Sequence, residues 1–200
     1  MLTEEKINLN YLNWIKRLEK YNCYSQQLID NFGDKIKNAP FSMNGSSGGA
    51  YQGGMLDVVL NNLCVLAYNI NENAYVKHLG LKVNIDMLMR VLLLQHISKA
   101  EMFIPQTSQW KLKNDFLYEF NPEMTTKLKC GEKSAFICMS NGISLSEEEY
   151  EAMCVIDKAD EKGDYFYNPL SILTKCCNQM INVDLRYKIL RNKKTEKIEE

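Results

Sequence analysis

Val91-Leu92-Leu93-Leu94-Gln95-His96-Ile97-Ser98-Lys99-Ala100 decides how the rest of the chain reads. Four consecutive apolar residues run straight into an amide, an imidazole, a hydroxyl and an ammonium. That pattern marks the buried end of an apolar helix that passes at once into polar groups. In an α-helical enzyme this is a place to hold a metal, because ligands must project from a rigid, dry scaffold. Residues 84–94 supply the helix. Asp86 sits near its start, where a carboxylate favours the helix dipole.

Upstream, Met55 to Asn69 reads as a second strongly apolar helix, with Leu56, Val59, Leu60, Leu63, Leu66 and Ala67 inward. Both helices are apolar on several faces, which places them at the centre of the fold. Residues 38–54 hold five glycines and read as a loop. No Gly-Lys-Ser/Thr follows and no Gly-x-Gly-x-x-Gly follows a strand, so the loop has no phosphate-binding pattern. In residues 3–37, Ile7, Tyr11, Trp14, Ile15, Leu18 and Tyr21 recur at three- and four-residue intervals. Leu28, Phe32 and Ile36 continue the stripe, past a break expected near Gly33. Such an aromatic-rich helical face suits packing on the domain or docking of another chain.

Downstream, Gln109-Trp110-Lys111-Leu112-Lys113 and Phe116-Leu117-Tyr118-Glu119-Phe120 alternate around Asn114-Asp115 and predict a small β-hairpin. Gly131 to Ser140 is a short helix stopped by Asn141-Gly142. Ser146-Glu147-Glu148-Glu149 is a capping box for a helix over Tyr150 to Ile156. Asp157 to Asp164 is a charged loop. Asn168-Pro169 opens the last main helix, which runs to about Leu185. The tail Arg186 to Glu200 has six basic and three acidic residues and is expected to be a solvated helix end or partly disordered. The outline is all-α: a helical arm at 1–37, a Gly-rich loop at 38–54, a helical domain at 55–185 and a charged tail at 186–200.

A formal net charge of −1 supplies no global field toward nucleic acid or membrane. Aromatic residues are not interleaved with a basic face, so nucleic acid is not an expected partner. No apolar run reaches the roughly 18 residues that a membrane span needs. The polar, acidic start argues against a secretory signal. The seven cysteines, at 23, 64, 130, 138, 154, 176 and 177, include no Cys-x-x-Cys spacing. Most lie in apolar helical stretches, which suits reduced, buried thiols in a cytosol. There are two histidines; His78 lies in the connector Tyr75 to Gly80, where a surface position is expected. Abundant Asn, Lys and Ile suit an AT-rich bacterial or phage genome.

From about Gly53 to Asp184 the chain resembles the small HD-domain metal-dependent phosphohydrolases of bacteria and phages. The resemblance rests on Leu93 to Ala100, which is similar to that family's Leu-His-Asp-Ile-Gly-Lys signature. It rests also on Cys130-Gly131-Glu132-Lys133-Ser134 and on Leu145 to Ala152, in the family's order and spacing, with the hairpin between. It implies an HD-domain-like helical bundle with one small hairpin. Carried over by position, the family's first ligand histidine falls on Val58. Its His-Asp pair falls on Gln95 and His96, and the histidine before Gly-Glu-Lys-Ser falls on Cys130. The histidine after the capping box falls on Ile156 or Asp157, and the late aspartate on Asn178.

Every expected ligand is therefore changed. Val58 and Ile156 cannot coordinate, Gln95 and Asn178 are weak neutral ligands, and the lost aspartates removed the charge that holds a divalent ion. His96, Cys130 and Asp157 would bind metal only by converging. The resemblance implies a vestigial site with no metal and no cofactor. Lys99 survives from the signature. In active relatives this lysine helps to hold substrate phosphate, which makes it the weak phosphate-site candidate; otherwise it is a helix-end lysine paired to Glu101 or Asp57.

The expectation is an inactive pseudo-phosphohydrolase, not an enzyme, serving as a binding or assembly module such as a bacteriophage structural component. Its partner would be another protein or a second copy, in a bacterial cytoplasm or a virion. The alternative is a residual or rebuilt hydrolase or nucleotidase acting on a phosphorylated small molecule. There His96 would be general base, Asp157 or Asp57 would orient it, and Cys130 would be a nucleophile if its thiol pKa were lowered. A third reading is phosphate-ligand sensing through Lys99, Lys133 and the 44–54 loop.

Overall fold

The structure is a computed structural model that describes residues 2–158 and 168–196. Beyond Lys158 the expected charged loop lies outside the described residues, as do residues 197–200 of the tail. Among the described residues the chain is mostly helical, with one two-stranded antiparallel sheet. No described helix is long and apolar enough to cross a membrane.

The N-terminal stripe forms two helices, α1 (Glu4–Lys20) and α2 (Gln26–Asn38). The expected break at Gly33 is at residues 21–25 instead. Asn22 takes a left-handed φ of 54°, a conformation that asparagine tolerates better than most residues. Ser25 then caps α2 by accepting the Leu28 N–H. Gly33 stays helical for a packing reason: a Cβ there would lie 2.4 Å from the Tyr11 hydroxyl. The arm is part of the domain's own core. Trp14, Leu18, Leu28 and Ile36 are fully buried in the same cluster as Leu93, Met153 and Cys177.

After the glycine-rich loop, with a 3₁₀ turn at Gly45–Ser47, an apolar rod runs as α3 (Gly54–Val58), a π turn (Val59–Leu63) and α4 (Cys64–Asn71). A short α5 (Ala74–His78) carries His78 to the surface. Helix α6 (Ile85–Leu94) is capped by the Asn84 side chain, which accepts the Asp86 N–H. Six of its ten residues are buried, which makes it the central helix of the bundle.

After the short α7 (Lys99–Met102), strand β1 (Phe103–Pro105) pairs with β2 (Tyr118–Phe120), Ile104 opposite Glu119. The small sheet therefore exists, but its first strand lies earlier than expected. Gln109–Lys113 is instead a helical turn, α8. Its Trp110 is 71% exposed, so no buried face holds that segment in a strand. Its backbone closes on itself, Asp115 N–H to Leu112 O and Phe116 N–H to Lys111 O, with Asp115 at a φ of 68°. Asn114-Asp115 ends a helical turn rather than a hairpin.

Helices α9 (Cys130–Ser140) and α10 (Glu147–Cys154) follow, the latter with the expected capping box between Ser146 and Glu149. A 3₁₀ turn (Val155–Asp157) then continues from α10. Glu149 also takes Arg90 of α6 at 2.6 Å, and Arg90 reaches the backbone of Asn22 and Ser144. One buried ion pair thus ties the α1–α2 turn, α6 and α10 together, and breaking it would strand a charge. The last helix, α11 (Pro169–Glu196), runs well past the expected end at Leu185.

Helix α6 ends inside the core, so its terminal carbonyls need donors that are not water. One of them, Leu93 O, accepts the Trp14 indole N–H at 3.0 Å. Trp14→Phe keeps most of the apolar volume and removes the donor. It is expected to cost about 1–3 kcal/mol, read by urea unfolding. A loss below about 0.5 kcal/mol would mean that the bond does not hold α1 to α6.

Candidate functional site

Beyond Leu94 the chain turns through Gln95 to Ser98, of which Gln95 and Ser98 are fully buried and His96 is 6% exposed. Three polar side chains therefore enter the interior on one turn, and each needs a partner. Helix α11 supplies Asn178 and helix α9 supplies Cys130 and Ser134. The α10 end fixes where α9 begins. A Cβ on Gly131 would lie 1.9 Å from Met153 O, so only glycine allows this approach. The Gly131 N–H also donates to the Asp157 carboxylate at 2.7 Å.

The contacts determine the proton positions. Asn178 Nδ2 donates to Thr174 O at 2.8 Å and to Gln95 Oε1 at 3.2 Å. Its Oδ1 is therefore left to accept, and His96 Nε2 lies 2.9 Å from it. That makes His96 the Nε2–H tautomer, with Nδ1 an acceptor facing the Cys130 thiol. Cys130 Sγ lies 3.8 Å from Nδ1 and 3.9 Å from Gln95 O. Ser98 Oγ donates to Cys130 O at 2.8 Å, and its own N–H goes to Ser134 Oγ. Among the described residues no protein group hydrogen-bonds to Gln95 Nε2 or Thr174 Oγ1.

Phe41 closes the site from the glycine-rich loop. Its ring meets the His96 ring edge to face, centroids 5.0 Å apart. The Lys99 ammonium lies over the Phe41 ring, 3.6 Å from its centre, and donates to Phe41 O at 2.6 Å. Lys99 is not paired to Glu101 or Asp57, as the helix-end alternative required. Glu101 takes Lys133 at 3.0 Å, and Asp57 accepts from Asn10, Tyr51 and Asn61.

Burial dominates the electrostatics. It holds the His96 imidazole well below its usual pKa, with help from the Lys99 charge and against the Asn178 bond. It pushes the Cys130 thiol up, opposed by the Lys99 charge and by hydroxyl contacts from Ser98 and Ser134. It pushes Lys99 down, opposed by Cys130 and Asp157. Thiol and imidazole are therefore a neutral pair rather than a thiolate–imidazolium pair.

Of the residues marked in the sequence, Gln95, His96, Cys130 and Asn178 share one network. Val58 is buried and lies with Phe41 against Gly49, while Ile156 lies against Gly131. Asp157 is exposed and engaged at Gly131, and Asp57 is engaged at α1 and the loop, so the residue that orients His96 is Asn178 rather than either aspartate. Among the described residues, no three His, Cys, Asp or Glu side chains group closely enough to hold a metal ion. Lys133 is held by Glu101, and Gly45 and Gly48 lie against Asp115 and Leu185. Beside the network a cavity of about 620 Å³ opens, with Lys99, Cys130 and Asp157 at its polar end and Met102, Phe120 and Leu128 on its wall.

Phe41, Ser98, Ser134 and Thr174 were not singled out in the sequence. Ser98 and Ser134 lie inside stretches quoted from the sequence and could have been found there. Phe41 is one apolar residue in a glycine-rich loop, with no periodicity to mark it. Compared with family models, with characterised proteins and with solved structures, the chain has no match.

The low His96 pKa has a stability consequence. Between the folded value and the unfolded value near 6.5, the unfolded chain binds the extra proton. Stability is full above about pH 6.5 and falls as pH drops, by up to about 1.4 kcal/mol per pH unit. Urea unfolding at about pH 7 and about pH 5 is expected to show a loss roughly 1–2 kcal/mol smaller in His96→Gln than in the parent. Equal losses in the two proteins would mean that His96 is not held neutral.

Proposed function

We propose that the chain is a non-catalytic module on an HD-like scaffold that binds or assembles with other molecules and performs no metal-dependent phosphoryl hydrolysis. The observation that carries this reading is the closure of Gln95, Asn178, His96 and Cys130 onto one another as neutral groups. A divalent ion needs ligands with free lone pairs and compensating negative charge. Here the Asn178 and Gln95 side-chain oxygens accept hydrogen bonds, and the Lys99 charge disfavours a second positive charge on His96. Phe41 covers His96 on the loop side. The open cavity beside the network leaves room for a bound molecule. A structural role in a phage particle fits this reading and the composition.

A second reading is favoured by one distance. Cys130 Sγ lies 3.8 Å from the His96 nitrogen that is free to take a proton, and Asn178 fixes that imidazole from its other side. This is the order of groups in a thiol hydrolase. The raised thiol and lowered imidazole pKa values oppose it, because the reactive species is the thiolate.

One set of measurements separates the two. Protein purified without chelators is expected to carry only substoichiometric metal, and Mn²⁺, Zn²⁺ or Mg²⁺ should leave the melting temperature unchanged, since an ion that does not bind contributes no stabilisation. Turnover of p-nitrophenyl phosphate and p-nitrophenyl acetate should stay at the level of the Cys130→Ser variant. Stoichiometric metal with phosphatase activity would overturn the proposal. Ester turnover abolished by Cys130→Ser would establish the second reading in its place.

A further inference from the structure

The small sheet and the segment after it make an apolar wall in the cavity beside the buried network. Phe103 of β1 stands directly opposite Phe120 of β2, so both rings rise from one face of the sheet. They meet edge to face, centroids 5.4 Å apart. Met102 lines the space beside them, and Met124 and Leu128 line it from the segment after β2. The start of that segment is pinned to the α7–β1 corner, because the Asn121 N–H donates to Met102 O and its side chain to Glu101 O. Phe120 is 55% exposed and Leu128 37%. Adjoining apolar side chains are thus left to solvent inside one concavity, a surface that gains from being covered.

The other end of the cavity is polar and carries a surplus of positive charge. Lys99 lines it, and its ammonium gives one N–H to Phe41 O. An ammonium has three donors, and among the described residues no oxygen other than Phe41 O is bonded to this one. A partly desolvated cation gains more from an anion than one in bulk water does. Lys127 and Lys129, both exposed, line the same cavity. Against these three cations the lining holds one carboxylate, Asp157. Glu132 takes the Lys129 backbone N–H from outside the lining.

Asp157 decides which anion fits. Its carboxylate accepts the Gly131 N–H at 2.7 Å. The backbone donor at the start of α9, the kind of group that seats a phosphate, is therefore taken by the chain itself. A doubly charged phosphate would stand near that carboxylate in a partly desolvated place, whereas a singly charged carboxylate meets less repulsion there. The wall asks for a hydrocarbon, and a cavity of about 620 Å³ is in the size range of small-molecule sites.

We propose that this cavity binds a monocarboxylate with an apolar tail of medium length, its carboxylate against Lys99 and its hydrocarbon over Phe103, Phe120, Met124 and Leu128. Lys127 and Lys129 speed the encounter, and the two methionines adapt the wall to tails of differing shape. The inference rests on the reading of the chain as a binding module only in taking the cavity as its site. Metal-dependent turnover would end that reading without touching this one, and failure to bind here would leave the neutral network as it is.

The probe is decanoate, kept well below its micelle concentration and titrated into the full chain by calorimetry. One decanoate per chain is expected, with a Kd of about 100 µM or tighter. With carbon-13 in the methionine methyls, the Met102 and Met124 signals should shift with the same affinity. Decanol, which has the same tail and no charge, should bind roughly tenfold more weakly, and decyl phosphate should also bind more weakly than decanoate. Lys99→Met should weaken decanoate binding by roughly ten- to a hundredfold. Lys99 also holds Phe41, so Leu128→Glu, at an exposed position, is the second variant. It should keep the parent's circular dichroism and weaken decanoate by roughly tenfold or more. No saturable binding below about 1 mM would overturn the proposal. So would decanol or decyl phosphate binding as tightly as decanoate, methyl shifts confined to other methionines, or an affinity unchanged in either folded variant.

Discussion

A helix that ends inside a hydrophobic core must find hydrogen-bond partners without water, and the end of α6 is such a place. Much of the architecture answers this one demand. Trp14 comes from the N-terminal helix to donate to Leu93 O. Cys130 comes from the start of α9 to lie against Gln95 O and His96. Asn178 comes from the middle of α11 and meets the side chains of both Gln95 and His96. Three elements far apart in sequence are thereby fixed to one turn, and Phe41 seals that turn from the glycine-rich loop.

The same demand sets the character of the centre. A buried ionised group would need a compensating charge, and the groups gathered here are amides, hydroxyls, a thiol and an imidazole kept neutral by burial. Lys99, at the edge, rests on a carbonyl and an aromatic face. A network of this kind rigidifies the core and gives it a single register.

The helices were legible wherever a cap or a strict period marked them. Ser146 and the Asn141-Gly142 stop lie where the sequence puts them, because capping is a local chemistry of adjacent residues. The break in the N-terminal stripe was misplaced, since Gly33 looks like a breaker but is a contact with Tyr11. The first strand was misplaced as well. Five alternating residues fit a strand or a helical turn equally, and only the absence of a buried face around Trp110 decides between them. Within the site, the resemblance selected Gln95, His96, Cys130 and Asn178, and these residues do meet. The alternative of a rebuilt hydrolase named Asp57 or Asp157 to orient the imidazole, and Asn178 does so instead. An aspartate is the usual partner, but Asp57 and Asp157 are held by hydrogen-bond donors that lie elsewhere in the fold. No spacing rule carries that information. The length of α11 was underestimated because its continuation is polar, and polarity reads as a tail.

The protonation of His96 is the point on which the neutral centre stands or falls. Nitrogen-15 NMR of histidine-labelled protein, in a His78→Gln background that leaves one imidazole to observe, reads it directly across about pH 5 to 8, the range in which an ordinary imidazole titrates. A single neutral Nε2–H tautomer that does not titrate over that range is expected. A midpoint near or above the ordinary value of about 6.5, or a Nδ1–H tautomer, would contradict the closed neutral network and reopen the centre to charge-dependent chemistry.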